Sequence, residues 1–355
     1  MANTPVTPIR IPVRAPICDG LHMPAEWAEH EATWMIWPCK PGVWRGMEKP
    51  RCAYAEVAKA ISRFEPVYMM CRPELLEDAR YYCGDFTTLV PMDTRDSWAR
   101  DSAPTFVVDG RGGVAGVDWI FNDWGHIARY EGKYDEPMGL HVLEHLNMRR
   151  YAAPFIIEGG GLHTDGEGTL LTTEQVQFDP NRNAGFSATD FEDLFHAYLG
   201  TEKVIWLGNG LEDDETNGHV DILACFVRPG VVMVHDCTDP ENNNYAVTQD
   251  AIKRLEAATD AKGRSLEIIR IPEPAPRYHG DWRMDLSYIN FYMCNGGIIM
   301  SSFDDPMDEV AYKILCDAFP TREVIQIPSI DIFAGGGGIH CITQQQPKGA
   351  PLPVF

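Results

Sequence analysis

No window of this 355-residue sequence approaches the roughly 18 to 20 uninterrupted apolar residues that span a bilayer. The stretch from Asn3 to Pro16 carries four prolines and two arginines but no apolar core, so it does not read as a secretory leader. Basic residues are scarce: 30 Lys and Arg against 52 Asp and Glu leave a net charge of −22. That balance argues against nucleic acid or an anionic membrane as the main partner, both of which favour basic patches. It suits either a solvated acidic surface or the attraction of a cationic ligand. The ten cysteines include no CxxC pair and no zinc-finger spacing, and no HExxH occurs. Scattered cysteines in a chain of this length indicate a reducing, cytoplasmic setting in which most are small core residues. Gly/Ser-rich linkers and charge blocks are also missing, so the chain reads as one compact unit.

What is present alternates between short β-rich runs and amphipathic helices, a mixed α/β pattern. Strands are expected at 105–108, 169–173, 204–207, 222–227, 231–234, 289–293 and 324–327, each bounded by turn-forming residues. Helices are expected at 54–64, at 249–258, after Thr189 with Glu192 closing a capping box, and after Pro306. The last would turn Val310, Ile314, Leu315 and Phe319 inward. One pattern repeats: Gly159-Gly160-Gly161-Leu162-His163 returns as Gly336-Gly337-Gly338-Ile339-His340. Either these are two unrelated glycine turns, or the architecture is internally repeated.

Four segments hold candidate chemistry. Four glycines, Gly335 to Gly338, lead to His340 and Cys341, so a small ligand could reach the thiol with little obstruction. A nucleophilic thiol also needs a positive neighbourhood or a cationic ligand to favour the thiolate. In Asn217-Gly218-His219-Val220-Asp221, a strand with Val220 inward would turn His219 and Asp221 to one face, a pairing suited to proton transfer. The alternative is a surface turn. Glu158 closes an apolar run, Pro154 to Ile157, and a buried carboxylate there needs a cation, either a ligand or an Arg or Lys from elsewhere. Asp96, Trp98, Arg100 and Asp101 form either a local salt-bridge lattice or an acidic site with a flat ring for a planar cation. A thiol, a histidine and several carboxylates together suit guanidinium chemistry: carboxylates hold the N–H fork, and a thiolate attacks a weakly electrophilic carbon.

These segments resemble the agmatine deiminases of the guanidine-modifying pentein superfamily. The likeness runs from Met23-Pro24-Ala25-Glu26-Trp27 to Gln344-Gln345-Gln346-Pro347. Its most specific stretches are Trp98-Ala99-Arg100-Asp101, Glu158-Gly159-Gly160 with Asp165 to Thr169, Asp214 to Asp221, and Ile339 to Thr343. The resemblance implies a five-bladed α/β propeller of ββαβ modules with pseudo-fivefold symmetry. It makes residues 1–22 an extended arm and 23–355 a single catalytic domain. It aligns the nucleophile with Cys341, the acid/base with His219, and the guanidinium-binding carboxylates with Asp96, Glu158 and Asp221. Trp98 is the candidate stacking surface for the substrate.

The implied reaction converts agmatine to N-carbamoylputrescine and ammonia, a step toward putrescine, without a metal or organic cofactor. Family members often assemble as homo-oligomers, and the implied partner is a small cationic guanidine. Gly338 stands where the family usually has Asn, Ala103 where it commonly has Gly, and the segment from Trp282 to Tyr288 is more charged than expected. Arg283 and Asp285 would add charge near the far end of the cleft. Three other readings compete. The enzyme could act on another guanidine, as deiminase or amidinotransferase. The pairs His219-x-Asp221 and His163-x-Asp165 could ligate a metal. The chain could also bind a guanidine without turning it over.

Overall fold

The computed structural model describes residues 14–40, 42–44, 46–125 and 137–355. Five sheets repeat one pattern, in which a first strand runs antiparallel to a second and a helix carries the chain to a parallel third. One such unit is Thr105–Val108, Gly113–Ile120, helix Met138–His145 and strand Arg150–Ile156. The next is His163–Thr164, Thr169–Thr173, helix Ala188–Leu199 and Lys203–Leu207. The pattern returns in Ala224–Arg228, Val231–Asp236, helix Asn244–Ala257 and Glu267–Pro272. It returns again in Tyr292–Cys294, Gly297–Ser302, helix Met307–Ala318 and Glu323–Pro328. Parallel pairs need a crossover, and a helix supplies it while covering the sheet.

The fifth unit joins the two ends of the chain. Thr343–Pro347 pairs antiparallel with His30–Ile36, which continues through helix Glu48–Ile61 to the parallel strand Val67–Cys71. In every unit, the residues just ahead of the first strand are the chemically interesting ones. Asp96 to Asp101 precede Thr105, Glu158 precedes His163, His219 and Asp221 precede Ala224, and Cys341 precedes Thr343. The glycine echo reflects this shared position, since both triplets lead into first strands. The two triplets differ locally: Gly159–Gly161 is a 3-10 turn, whereas Gly336–Gly338 is an irregular turn.

Several local expectations need correction. Ser187, not Thr189, caps the helix Ala188–Leu199: its hydroxyl accepts the Asp190 N–H while Asp190 accepts the Ser187 N–H. Thr189 lies two residues further in, at the second helical position, and so does not act as the cap. Leu315 and Phe319 face inward as expected and Ile314 is partly buried, but Val310 is 42% exposed and Ala311 takes its inward place. His219 and Asp221 do not lie on a strand; Val220–Ile222 is a 3-10 turn ahead of strand Ala224–Arg228. The strand placed at 289–293 begins only at Tyr292. At the N-terminal side, Pro16–Asp19 forms a short 3-10 turn, and Ala15 and Leu21 pack into the cluster around Phe191 and Tyr198. Residues 1–13 of the expected arm lie outside the described residues. Among the described residues no helix is long and apolar enough to cross a membrane.

Candidate active site

The five approach segments meet in one buried cluster. Cys341 is 5% exposed, Glu158 and Asp221 are each 2% exposed, and His219 is 1% exposed, so their charges act in a dry setting. The Cys341 thiol lies 3.5 Å from Asp221 Oδ2 and accepts a hydrogen bond from Asn290 Nδ2 at 3.2 Å. Asn290 belongs to the approach segment of the unit that begins at Tyr292, and nothing in its local sequence context marked it as a site residue. Burial pushes the thiol well above its usual range, and the Asp221 and Asp101 charges push the same way. A buried thiol between acids stays protonated until a cation arrives.

His219 lies between two carboxylates. Nε2 is 3.4 Å from Glu158 Oε2, and Nδ1 is 3.9 Å from Asp101 Oδ1. Burial alone would lower its pKa, but Asp101 and Glu158 outweigh burial and raise it to about 9. His219 is therefore an imidazolium at neutral pH. Asp214 builds the loop that delivers it, accepting the backbone N–H groups of Thr216, Gly218 and His219. Gly160 packs so closely under the ring that a Cβ there would sit 2.4 Å from His219 Nδ1.

Sequence reasoning left the partner of Glu158 open between a ligand and a cationic side chain, and the structure supplies Arg182. Arg182 Nε donates to both Glu158 oxygens, at 3.0 and 2.9 Å, with both side chains buried. Burial opposes ionisation of Glu158, but Arg182 and His219 prevail and hold its pKa near about 2. Asp221 is likewise held below its usual range against burial, chiefly by the His340 ring, whose Nδ1 lies 2.8 Å from Asp221 Oδ2. Its other oxygen, Oδ1, is buried with no hydrogen-bond partner among the described residues. That oxygen is an acceptor awaiting an N–H donor.

Above this cluster opens a cleft of about 520 Å³, walled by Asp96, Trp98, Asp123, Trp124, Glu215 and Trp282, with Lys40 and His279 at its edge. Asp96 faces Lys40 Nζ at 3.0 Å, yet burial still raises its carboxyl above the usual range. Trp98 stacks on Trp44 rather than standing alone. Gly337 separates the cleft from the thiol: a Cβ there would lie 2.8 Å from the Trp98 ring and 3.2 Å from Cys341 Sγ. Trp124 ties the wall to the interior by donating its Nε1–H to Asp101 Oδ2 at 2.9 Å.

The structure thus brings Cys341, His219, Glu158 and Asp221 together and places Asp96 and Trp98 in the wall above them. Arg283 does not line this cleft; it pairs with Glu273 at 2.9 Å. Asp285 is buried, and its desolvation beside Asp214 pushes its carboxyl well up. Gly338 lies against Asn290 and Phe333, where any side chain would clash with the Asn290 amide. His163 and Asp165 do not form a metal-binding cluster among the described residues. Chemically, the arrangement can fix a planar cation by its N–H groups, present sulfur to its carbon and donate one proton.

Comparison with known proteins places these features in context. The model of the Porphyromonas-type peptidyl-arginine deiminases matches residues 22–347. The agmatine deiminase of Pseudomonas aeruginosa (strain LESB58) is 44% identical, covering 95% of this chain and 98% of that protein. That of Ectopseudomonas mendocina is 43% identical, covering 94% and 97%. Among solved structures, the agmatine deiminase of Enterococcus faecalis superposes with a TM-score of 0.91 at 36% identity, covering 96% of this chain and 99% of that one. A C. jejuni agmatine deiminase with substrate bound superposes with a TM-score of 0.84 at 25% identity, covering 93% and 97%.

Proposed function

The chain belongs to the Porphyromonas-type peptidyl-arginine deiminase family, and from that premise we propose that it is an agmatine deiminase. It hydrolyses a C–N bond of agmatine's guanidinium, yielding N-carbamoylputrescine and ammonia. The observation that carries this reading is the buried set of Cys341, Asp221 and a protonated His219 beneath an acidic cleft, parted from it by Gly337. In this reading Asp123 and Glu215, which also line the cleft, would face the tail of bound agmatine, with Lys40 as the counter-charge. Such a wall favours a terminal amine over the carboxylate of arginine.

The reaction proceeds in two halves. The guanidinium enters with its N–H groups toward Asp221 Oδ1, Glu158 and Asp96, and Trp98 flanks its plane. Its positive charge offsets the acids around Cys341, and the thiol releases its proton to solvent. The thiolate attacks the central carbon and gives a neutral tetrahedral adduct. His219 passes its proton to one amino group, the C–N bond breaks, and ammonia leaves a cationic thiouronium on Cys341. The neutral imidazole then takes a proton from water as the water oxygen bonds to the same carbon. Collapse of that second adduct breaks the C–S bond, and the hydroxyl proton passes to the departing sulfur, which releases the neutral urea product and restores the thiol. This sequence needs no metal or organic cofactor. The division into an arm (1–22) and a catalytic domain (23–355), the closed five-bladed ring, a homo-oligomeric assembly and a cytoplasmic setting belong to the same proposal.

The test is ammonia release across agmatine, arginine and shorter guanidines, with and without acceptor amines, for the parent and Cys341→Ala. The parent should prefer agmatine and form N-carbamoylputrescine, and the variant should be inactive but folded. Quenched turnover should place the thiouronium on the peptide spanning residues 334–347. An adduct on another thiol would overturn the mechanism.

A further inference from the structure

Behind the thiol lies a buried relay that the reaction above does not use. The two histidines that close the glycine echo, His163 and His340, converge on one carboxylate, Glu26. His340 Nε2 is 3.0 Å from Glu26 Oε2, and His163 Nε2 is 3.5 Å from the same oxygen. The other Glu26 oxygen accepts the Met293 N–H at 2.8 Å. His163 Nδ1 accepts the Phe226 N–H at 3.2 Å, so its single proton sits on Nε2 and the ring is neutral.

His340 differs. Both its ring nitrogens face carboxylate oxygens, Asp221 Oδ2 at 2.8 Å and Glu26 Oε2 at 3.0 Å. A neutral imidazole would turn a lone pair toward one of those oxygens, so the ring must carry both protons. It is a fixed cation shared by two buried anions. Its position in the chain follows too: the His340 N–H is held by Asn290 Oδ1 at 2.9 Å, and Arg100 Nε donates to the His340 carbonyl at 3.3 Å.

We propose that His340 is a positioning residue for the deiminase reaction, a permanent imidazolium that locks one oxygen of Asp221 and leaves the other for the substrate. Asp221 Oδ2 is fixed by this contact and faces the sulfur, while Oδ1 has no partner among the described residues. Without the ring, a carboxylate this deeply buried would take up a proton and lose its hold on a cation. The charged and titratable groups facing His340 are Glu26, Asp221, Arg100 and His163. Those acting on Asp221 are the cations His340, His219 and Arg100, the Cys341 and Cys225 thiols, and the acids Asp101 and Asp285. Burial and Arg100 oppose protonation of His340, and the two carboxylates outweigh them. The role rests on the agmatine deiminase reading, because it concerns how the guanidinium is held.

His340→Asn keeps a polar side chain but removes the charge. With agmatine, kcat/KM at neutral pH should fall roughly a hundredfold, as expected when a buried charge pair loses one partner. The acid limb of kcat/KM should move upward by about one pH unit or more, since Asp221 then titrates at higher pH. A substrate-free readout runs alongside: the pH midpoint for iodoacetamide alkylation of the Cys341 peptide should rise. Glu26→Gln keeps the ring but removes its outer anion. His340 should then lose its proton at lower pH, and the alkaline limb should move down. A folded His340→Asn protein with unchanged acid limb and alkylation midpoint overturns the proposal. If that variant does not fold, an unmoved profile in Glu26→Gln overturns it instead. A parent that leaves agmatine untouched refutes the functional assignment, and the alkylation midpoint then decides the role of His340 by itself.

Discussion

Replacing Asp101 by Asn should lower the pKa of His219 and move the alkaline limb of the reaction with it. Asp101 Oδ1 sits 3.9 Å from His219 Nδ1, and both groups are buried. Two unit charges at that distance interact by roughly 4 kcal/mol at an effective dielectric near 20. At 1.36 kcal/mol per pH unit this corresponds to about three units. Each charge is spread over two atoms, which lengthens the mean separation and brings the expected shift to about two. The His219 pKa, raised to about 9 in the parent, should then fall to about 7 in the variant. The imidazolium must give a proton to departing ammonia, so kcat should decline above pH 7 rather than above pH 9. The assay is ammonia release from agmatine at saturating substrate between about pH 5.5 and 10, because kcat reports groups in the enzyme–substrate complex. Asn offers one acceptor oxygen where Asp101 serves both Trp124 and Gly160, so a thermal melt should accompany the profile. A folded variant whose alkaline limb coincides with the parent's would refute the electrostatic account of His219.

Three further outcomes are expected. Arg182→Met leaves Glu158 buried with only His219 as counter-ion, and urea unfolding should show a loss of about 3 kcal/mol. Gly337→Ala should leave the fold intact while lowering kcat/KM at least about tenfold, because the added Cβ crowds Trp98 and the path to Cys341 Sγ; parental kinetics would show that the ligand approaches from elsewhere. Asp96→Asn should raise KM for agmatine more than it lowers kcat, since Asp96 lies in the cleft wall rather than beside the sulfur; an unchanged KM in steady-state assays would remove it from the carboxylate clamp.

Much of this site was legible from one-dimensional patterns. The glycine run before Cys341 is visible because close approach needs residues without side chains. Buried acids are visible because an apolar run ending in Glu158 leaves few other readings. The mixed α/β character shows as alternating periodicities, while the ββαβ order came only from the family resemblance; the strands at 105–108 and 169–173 fall where expected. Misplaced details came from turns: the capping residue of Ala188–Leu199 lies two positions earlier than expected, and His219-Val220-Asp221 is a 3-10 turn. A strand and a short turn both set alternate residues near one another, so spacing alone does not separate them.

By itself, then, the amino-acid sequence determined which residue types could do the chemistry and that they sit in a mixed α/β chain. Tertiary structure alone decided the protonation states. Glu158 meets Arg182 at a separation of 24 residues, His340 meets Asp221 across 119, and Glu26 meets His340 across 314. The physical reason is that a titratable group answers to burial and to charges within a few ångströms, in whichever segment of the chain they arise. Those neighbours exist only once Thr343–Pro347 has paired with His30–Ile36 and brought the two ends of the chain together.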